Sequence, residues 1–288
     1  MDTEKIVLKF RTIYFTLMSI WEEYPDDVAP AIKSLKYLLS VAFNEKDKEY
    51  LIECWDKERA SDKLLEKGID YLAKNQYKKA IKALDAALDI FEGNSITWYN
   101  KGLALGFLNK HHESIKASEK AIEIYPKYSE AWINKGVALE KSGYLKEALD
   151  SYETAIKADP DYYLAWYNKA VILKKLGQYG KSIEVFDKAI KLNPKYAPSY
   201  YVKGIVLASI GEIGKAIKVT LKGVELAPKD SEAWYDIACL YALKNDKDRA
   251  FKLLRKSIKM DSKWKKHAKK DEDFLRYWGD KQFLKMIR

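Results

Sequence analysis

Asn100, Asn134 and Asn168 stand 34 residues apart, and each follows an apolar or aromatic residue: Tyr99, Ile133 and Tyr167. Tyr201 and Tyr235 continue the second series at the same interval. An amide side chain both donates and accepts. A row of amides can therefore hold the unpaired N–H and C=O groups of an extended peptide with little regard to its sequence. Tyrosine adds rigid contact area with a polar tip. This is the chemistry of recognition.

The residues that could break bonds form no catalytic set. His111 and His112 are adjacent in a turn, where two side chains rarely face one metal, and no Cys or carboxylate stands at ligand spacing from them. No glycine-rich phosphate loop follows a predicted strand, and no strand is predicted. The stretch Gly211 to Gly214 reads as a helix turn. Asp and Glu are plentiful but read as solvated ion pairs on helical surfaces. The reading is a non-enzymatic protein with no cofactor and no metal. Cys54 and Cys239 are too few for a disulfide framework and read as small buried apolar residues in a reducing compartment.

The elements that position the Asn and Tyr series come from the interval itself. Gly68, Gly102, Gly136, Ala170, Gly204 and Ala238 share it. So do Trp98, Trp132, Trp166, Tyr200 and Trp234, four residues before the last five of these. Ala80, Ser114, Ala148, Ser182, Ala216 and Ala250 follow twelve residues after them, and Pro126, Pro160, Pro194 and Pro228 close four units. A fixed period of this size specifies stacked repeats. Within Ser129–Tyr162, two apolar stripes at helical spacing flank Lys141-Ser142-Gly143-Tyr144, and Pro160 stops the second helix. Each unit is therefore helix, tight turn, helix. The turn slot holds Asn75, Asn109, Gly143, Gly177, Gly211 and Asn245, the residue types that tolerate the left-handed conformation ending a helix. The small residues mark where paired helices cross most closely.

This pattern resembles the tetratricopeptide repeat. The third unit supplies Trp132, Gly136, Leu139, Ala148, Tyr152, Ala155 and Pro160; the fourth supplies Trp166, Ala170, Leu173, Ser182, Phe186, Ala189 and Pro194. A Leu replaces the family's first Tyr in both. Lys67, Lys101, Lys135, Lys169 and Lys203 replace the Leu before the small residue. The first unit lacks the Trp and the Pro, and the sixth has Ser257 for the late Ala; irregular terminal units are usual in such arrays. The resemblance implies an all-α, right-handed α-α superhelix of six units: 61–94, 95–128, 129–162, 163–196, 197–230 and 231–262.

In that family the first helix of each unit lines a concave groove. Numbering positions within a unit as slots, the resemblance places slots 2, 5, 6 and 9 in the groove. The candidate peptide-binding residues are then Tyr99, Asn100, Ile133, Asn134, Tyr167, Asn168, Tyr201 and Tyr235. The competing reading has slots 5 and 9 packing between neighbouring first helices. Some family members clamp the acidic C-terminus of heat-shock chaperones with Lys, Asn and Arg in these slots. Only the Asn occurs here, beside Glu130 and Glu232, so such a clamp is not expected.

Outside the repeats, residues 1–60 read as a helical module. Ile6 to Trp21 and Val28 to Ala42 form two amphipathic helices, and Leu51 to Trp55 belong to a third that can run on into the first unit. The module either caps the open face of the first unit or serves as a dimerisation or partner-binding module. Charged residues interrupt its apolar stretches, so it is neither a signal peptide nor a membrane span. A cytoplasmic protein is expected. Residues 263–288 resemble a closing helix, with Asp271, Asp273, Phe274, Asp280 and Phe283 fitting a family pattern. Residues 244–288 contain 16 Lys/Arg and 7 Asp/Glu, so nearly all of the net charge of +10 sits there. Lys263, Lys265, Lys266, Lys269 and Lys270, with Trp264 and Trp278 as stacking platforms, make nucleic acid the runner-up partner. The leading expectation is a scaffold gripping a partly apolar protein segment.

Overall fold

The computed structural model describes residues 45–288. The two helices expected over residues 1–44 lie outside the described residues, as does most of the surface proposed for self-association. The chain divides into two compact units, one ending at Gly93 and one spanning Asn94–Arg288. Every regular element among the described residues is helical.

The described part of the first unit is a helix pair, α1 (Glu45–Ala73) and α2 (Tyr77–Ile90). Helix α1 runs unbroken past residue 61, so the third N-terminal helix and the first helix of the first repeat are one element. Ser61 Oγ donates to the Ala87 carbonyl at 2.9 Å, and Leu84 fills the space that a Cβ on Gly68 would need.

The second unit contains five helix pairs: α3 (Ser95–Phe107) with α4 (His111–Ile124), α5 (Ser129–Lys141) with α6 (Leu145–Ala158), α7 (Tyr163–Lys175) with α8 (Tyr179–Leu192), α9 (Ala197–Ser209) with α10 (Ile213–Leu226), and α11 (Ser231–Leu243) with α12 (Lys247–Met260). Each helix packs on the next, and each first helix also meets the following first helix. The first helices therefore form one continuous face.

The turns follow the residue chemistry. All six turn-slot residues have positive φ, from 56° at Asn75 to 87° at Gly143. The following N–H reaches back five residues, as in Tyr144 to the Leu139 carbonyl at 3.0 Å, while Gly143 N–H bonds the Glu140 carbonyl at 3.1 Å. That is a Schellman ending, which satisfies carbonyls left open at a helix C-terminus.

The small slots also have a geometric cause. A Cβ on Gly136 would lie 2.5 Å from the Tyr152 ring, and Tyr152 is fully buried. Ser114 and Ser182 stand in the crossing slot and donate to the Gly102 and Ala170 carbonyls at 2.7 and 2.8 Å. They cross-link the two helices of their repeats without adding bulk.

Two interactions join consecutive repeats. The indole N–H of Trp132, Trp166 and Trp234 donates to the carbonyl of the preceding closing proline, Pro126, Pro160 and Pro228, at 2.8–2.9 Å. Tyr200 replaces Trp and does the same to Pro194 at 3.0 Å. The lysines before the small residue have a role as well. Lys135 and Lys169 pair with Glu119 and Glu153 of the preceding repeat at 2.8 Å, and Lys203 pairs with Asp187. Such partly exposed pairs contribute about 0.2–1 kcal/mol each. At the last junction Leu221 and Ile237 take these two slots, and both belong to an apolar core.

Residues 263–288 fold as three short helices: α13 (Lys263–Ala268), a 3-10 helix (Glu272–Tyr277) and α14 (Lys281–Ile287). Trp264, Phe274, Tyr277, Phe283 and Ile287 are buried in one core with Phe251 and Leu254 of the last repeat. Asp271 and Asp280 begin the second and third of these helices by accepting backbone N–H bonds. Among the described residues no helix is long and apolar enough to cross a membrane.

Candidate functional site

Tyrosine dominates the middle of the first-helix face, and much of it was not in the candidate series. Tyr128, Tyr162 and Tyr196 occupy the last slot of their repeats, immediately before a first helix. Where that slot holds Asn94 or Asp230, the side chain caps the next helix by accepting two N–H bonds. The tyrosines make no such cap, which forgoes about 1 kcal/mol at each helix start. The rings of Tyr128 and Tyr196 instead meet slot 5 of the same repeat, and that of Tyr162 meets Tyr163. Tyr99 lies 5.2 Å from Tyr128, and Tyr167 lies 5.2 Å from Tyr196, centroid to centroid. Tyr163 joins the band at 5.0 Å from Tyr196 and 6.3 Å from Tyr162. The 34-residue recurrence of Tyr128, Tyr162 and Tyr196 was the signal that could have found them.

These rings are half-buried, so they present area to the outside while fixed by one another. Burial, and then the Glu130 carboxylate, raises the Tyr99 phenol and holds Tyr162 up at about 12. Tyr128 is raised mainly by burial, with Tyr99 and Glu130 adding to it. Burial and then Tyr196 lift Tyr167 to about 12. All four stay protonated, with Glu130 facing Tyr99, Tyr128 and Tyr162.

The remaining candidates are not equivalent. Asn134 is buried, and its amide donates to Ser118 Oγ of the preceding repeat at 2.8 Å. Asn100 donates to the Ile96 carbonyl of its own helix at 2.8 Å. Asn168 is half-buried and makes neither bond, because Tyr152 stands in the slot where Ser118 serves Asn134. Ile133 is half-buried against Val137 and the core of its pair. Tyr201 donates to the Gly223 carbonyl at 2.8 Å, with its ring in the space a Cβ on Gly223 would need. Tyr235 is buried and stacks on Trp264 at 4.5 Å with 20° between planes. That pair repeats the slots of Tyr99 with Tyr128 and of Tyr167 with Tyr196. Tyr99, Tyr167 and Tyr201 are thus half-buried, Tyr167 with its inner edge 6.0 Å from the buried Phe186 ring and Tyr201 with its hydroxyl engaged, while Tyr235 packs inward.

At the end of the same face a cavity of about 490 Å³ opens between α9, α11 and the C-terminal helices. Glu232, Asp236, Asp271 and Asp273 line it, with Cys239 and His267. Tyr235 donates to one Asp271 oxygen at 2.6 Å, and the Cys239 thiol lies 3.6 Å from the same oxygen. Cys239 Sγ and carboxylate oxygens of Asp271 and Asp273 lie within 4.8 Å of one another, a spacing that could surround a metal ion. Burial, and then the surrounding carboxylates, push the Cys239 thiol well above its ordinary range. It therefore serves as a thiol donor, and a thiolate ligand is disfavoured.

The basic candidates face elsewhere. Lys263, Lys266, Lys269 and Lys270 are exposed, and Lys265 is half-buried. Lys263 pairs with Asp261 at 3.1 Å. Trp264 cannot serve as a stacking platform, because its ring is buried on Tyr235 and its N–H donates to Ser231 Oγ at 3.0 Å; Trp278 is 38% exposed. His111 begins α4 and His112 is exposed.

Models of the tetratricopeptide repeat match residues 96–128 and 231–263, 129–162, 163–196 and 185–218, together more than half of the chain. The chain belongs to the tetratricopeptide repeat (TPR) family. Solved TPR structures share its fold. YrrB, described as a TPR protein with an unusual peptide-binding site, is 24% identical; the match covers 66% of this chain and 100% of YrrB, with a TM-score of 0.51. PilF of Pseudomonas aeruginosa is 14% identical, covering 78% of this chain and 100% of PilF at a TM-score of 0.66. A thermophilic TPR protein of Thermus thermophilus is 18% identical, covering 62% of this chain and 98% of its own at 0.54. No curated protein sequence matches the chain. TPR folds are generally protein-interaction scaffolds, and a TPR assignment accounts for the turns, crossings and Trp–Pro contacts described above.

Proposed function

We propose that this TPR protein is a non-enzymatic scaffold that holds a segment of another protein on the first-helix face of residues 94–288. The observation that carries this reading is the tyrosine band. Three repeat junctions give up a helix cap, and in exchange half-buried tyrosines meet in two neighbouring groups, Tyr99 with Tyr128 and Tyr162 with Tyr163, Tyr167 and Tyr196. Nothing in the stacking of repeats requires this, since Asn94 and Asp230 provide caps at the other junctions. Half-buried tyrosines with protonated hydroxyls are effective contact residues, because they lose little conformational freedom on binding. Asn168 adds an amide free for a backbone group. The peptide-binding site reported for YrrB is a precedent within the fold.

Panning a random peptide display library against the full chain tests the reading. Peptides captured by the full chain should be lost from a Tyr167→Ala, Asn168→Ala variant that remains folded. The basic segment gives the second reading, favoured by four exposed lysines on and just after one short helix. Capture of single-stranded nucleic acid, abolished by Gln at Lys265, Lys266, Lys269 and Lys270 and by salt, would favour it instead.

A further inference from the structure

The cavity at the end of the first-helix face gathers most of that face's acidic side chains. We infer that the segment held there carries a Lys or Arg side chain whose charged head enters the cavity lined by Glu232, Asp236, Asp271 and Asp273. This deepens the scaffold reading and rests on it.

Charge complementarity along the whole face supports the choice of a basic occupant. In repeats two to six, slots 2, 5, 6 and 9 contain Glu130, Glu232 and Asp236 and no Lys or Arg. The protein as a whole has 52 Lys/Arg against 42 Asp/Glu, so this face is acidic against the general trend. The contrast is sharpest at the cavity. It borders the most basic part of the chain, yet its lining contains four carboxylates and no Lys or Arg among the described residues. The neighbouring lysines of α13 form no part of that lining.

The cavity also has open acceptors and a fitting shape. Asp271 is already occupied, by Tyr235 and Cys239 on one oxygen and by the Asp273 N–H on the other. Asp236 accepts no hydrogen bond from the described residues and pairs with no cation among them. Burial, and then Glu232, Asp230, Asp271 and Asp273, lift its carboxyl to about 7. A guanidinium or ammonium brings several donors and the opposite charge to such a group. At the mouth, Ile205 and Leu243 are 38% and 41% exposed, apolar surface suited to the aliphatic stem of a long basic side chain. About 490 Å³ accommodates one such side chain with room for water.

The test uses the same displayed library on the full chain, with a chelator present. Peptides that need Tyr167 and Asn168 should be enriched in Lys or Arg and depleted of Asp and Glu. A selected peptide should bind Asp236→Asn, Asp273→Asn at least about tenfold more weakly. Replacing its basic residue by Gln should give a similar loss. Binding to Lys269→Gln, Lys270→Gln should be unchanged. Thermal melting confirms that each variant is folded; should the double variant fail to fold, Glu232→Gln with the Gln-substituted peptide supplies the same comparison. Groove-dependent peptides that are neutral or acidic would overturn this inference while leaving the scaffold reading standing. So would equal affinity for the carboxamide variant, or binding that returns only with a divalent cation. No groove-dependent peptide at all would overturn both.

Discussion

The Tyr235 hydroxyl donates to the Asp271 carboxylate at 2.6 Å across 36 residues, joining the last repeat's slot 5 to the segment that follows the repeats. Tyr235→Phe leaves that carboxylate oxygen without its principal donor. It should destabilise the last repeat by roughly 1–3 kcal/mol, seen as earlier hydrogen exchange in α11 than in α7. Equal exchange in parent and variant would show that the bond is dispensable.

Removing residues 263–288 should act more strongly. It uncovers Phe251, Leu254 and Tyr235, which are buried in the terminal core. Terminal units of a repeat stack need such cover. Light scattering should report association of the truncated chain. A monomer that melts with the parent would contradict the role given to this segment.

The turn at Gly143 separates backbone strain from packing. Its φ is 87°, and a Cβ there would meet nothing within 4 Å. Gly143→Asn should be close to neutral, because Asn75, Asn109 and Asn245 hold the same slot at positive φ. Gly143→Val should cost about 1–2 kcal/mol or more. Denaturant melts of the two variants decide it.

Ala148 tests the helix crossing. It is fully buried, in a core with Tyr152 and Leu139. Ala148→Leu should cost about 1–3 kcal/mol by overpacking, against little change for Leu at exposed Lys146. Equal melting of the two would mean that the crossing lies elsewhere.

The period made the helix pairs, turns and crossings legible, because each slot imposes a local steric requirement that one residue class meets. Gly or Asn at positive φ, and Gly136 beneath Tyr152, are requirements of that kind. The site was only half legible. The slots showed that Asn134 recurs but not that Ser118 would engage its amide, since a side-chain bond depends on the partner in another repeat. Tyr128, Tyr162 and Tyr196 were overlooked because they sit at the boundary of the unit, where capping residues rather than rings are expected. The cavity depends on Asp271 folding back onto Tyr235, a contact between segments that no period relates.

Asp236 gives the protein a pH signature. Its folded pKa of about 7 lies above the ordinary carboxylate value of 3.8. Between about pH 4 and 7 the native state therefore holds a proton that the unfolded chain has released. This contribution to stability falls as pH rises through that window and levels off above it. Asp236→Asn should flatten that part of the pH–stability profile and raise the melting temperature at pH above about 7. An unchanged slope in the variant would mean that Asp236 is solvated.

The central claim is that the tyrosine band holds a protein segment, and one measurement bears on it most directly. A peptide selected by the full chain is titrated against the Tyr167→Ala, Asn168→Ala variant, with thermal melting recorded on the same samples. Affinity should fall by about 2 kcal/mol, roughly 30-fold, while the melting temperature drops only modestly. Undiminished affinity in a folded variant would contradict the account.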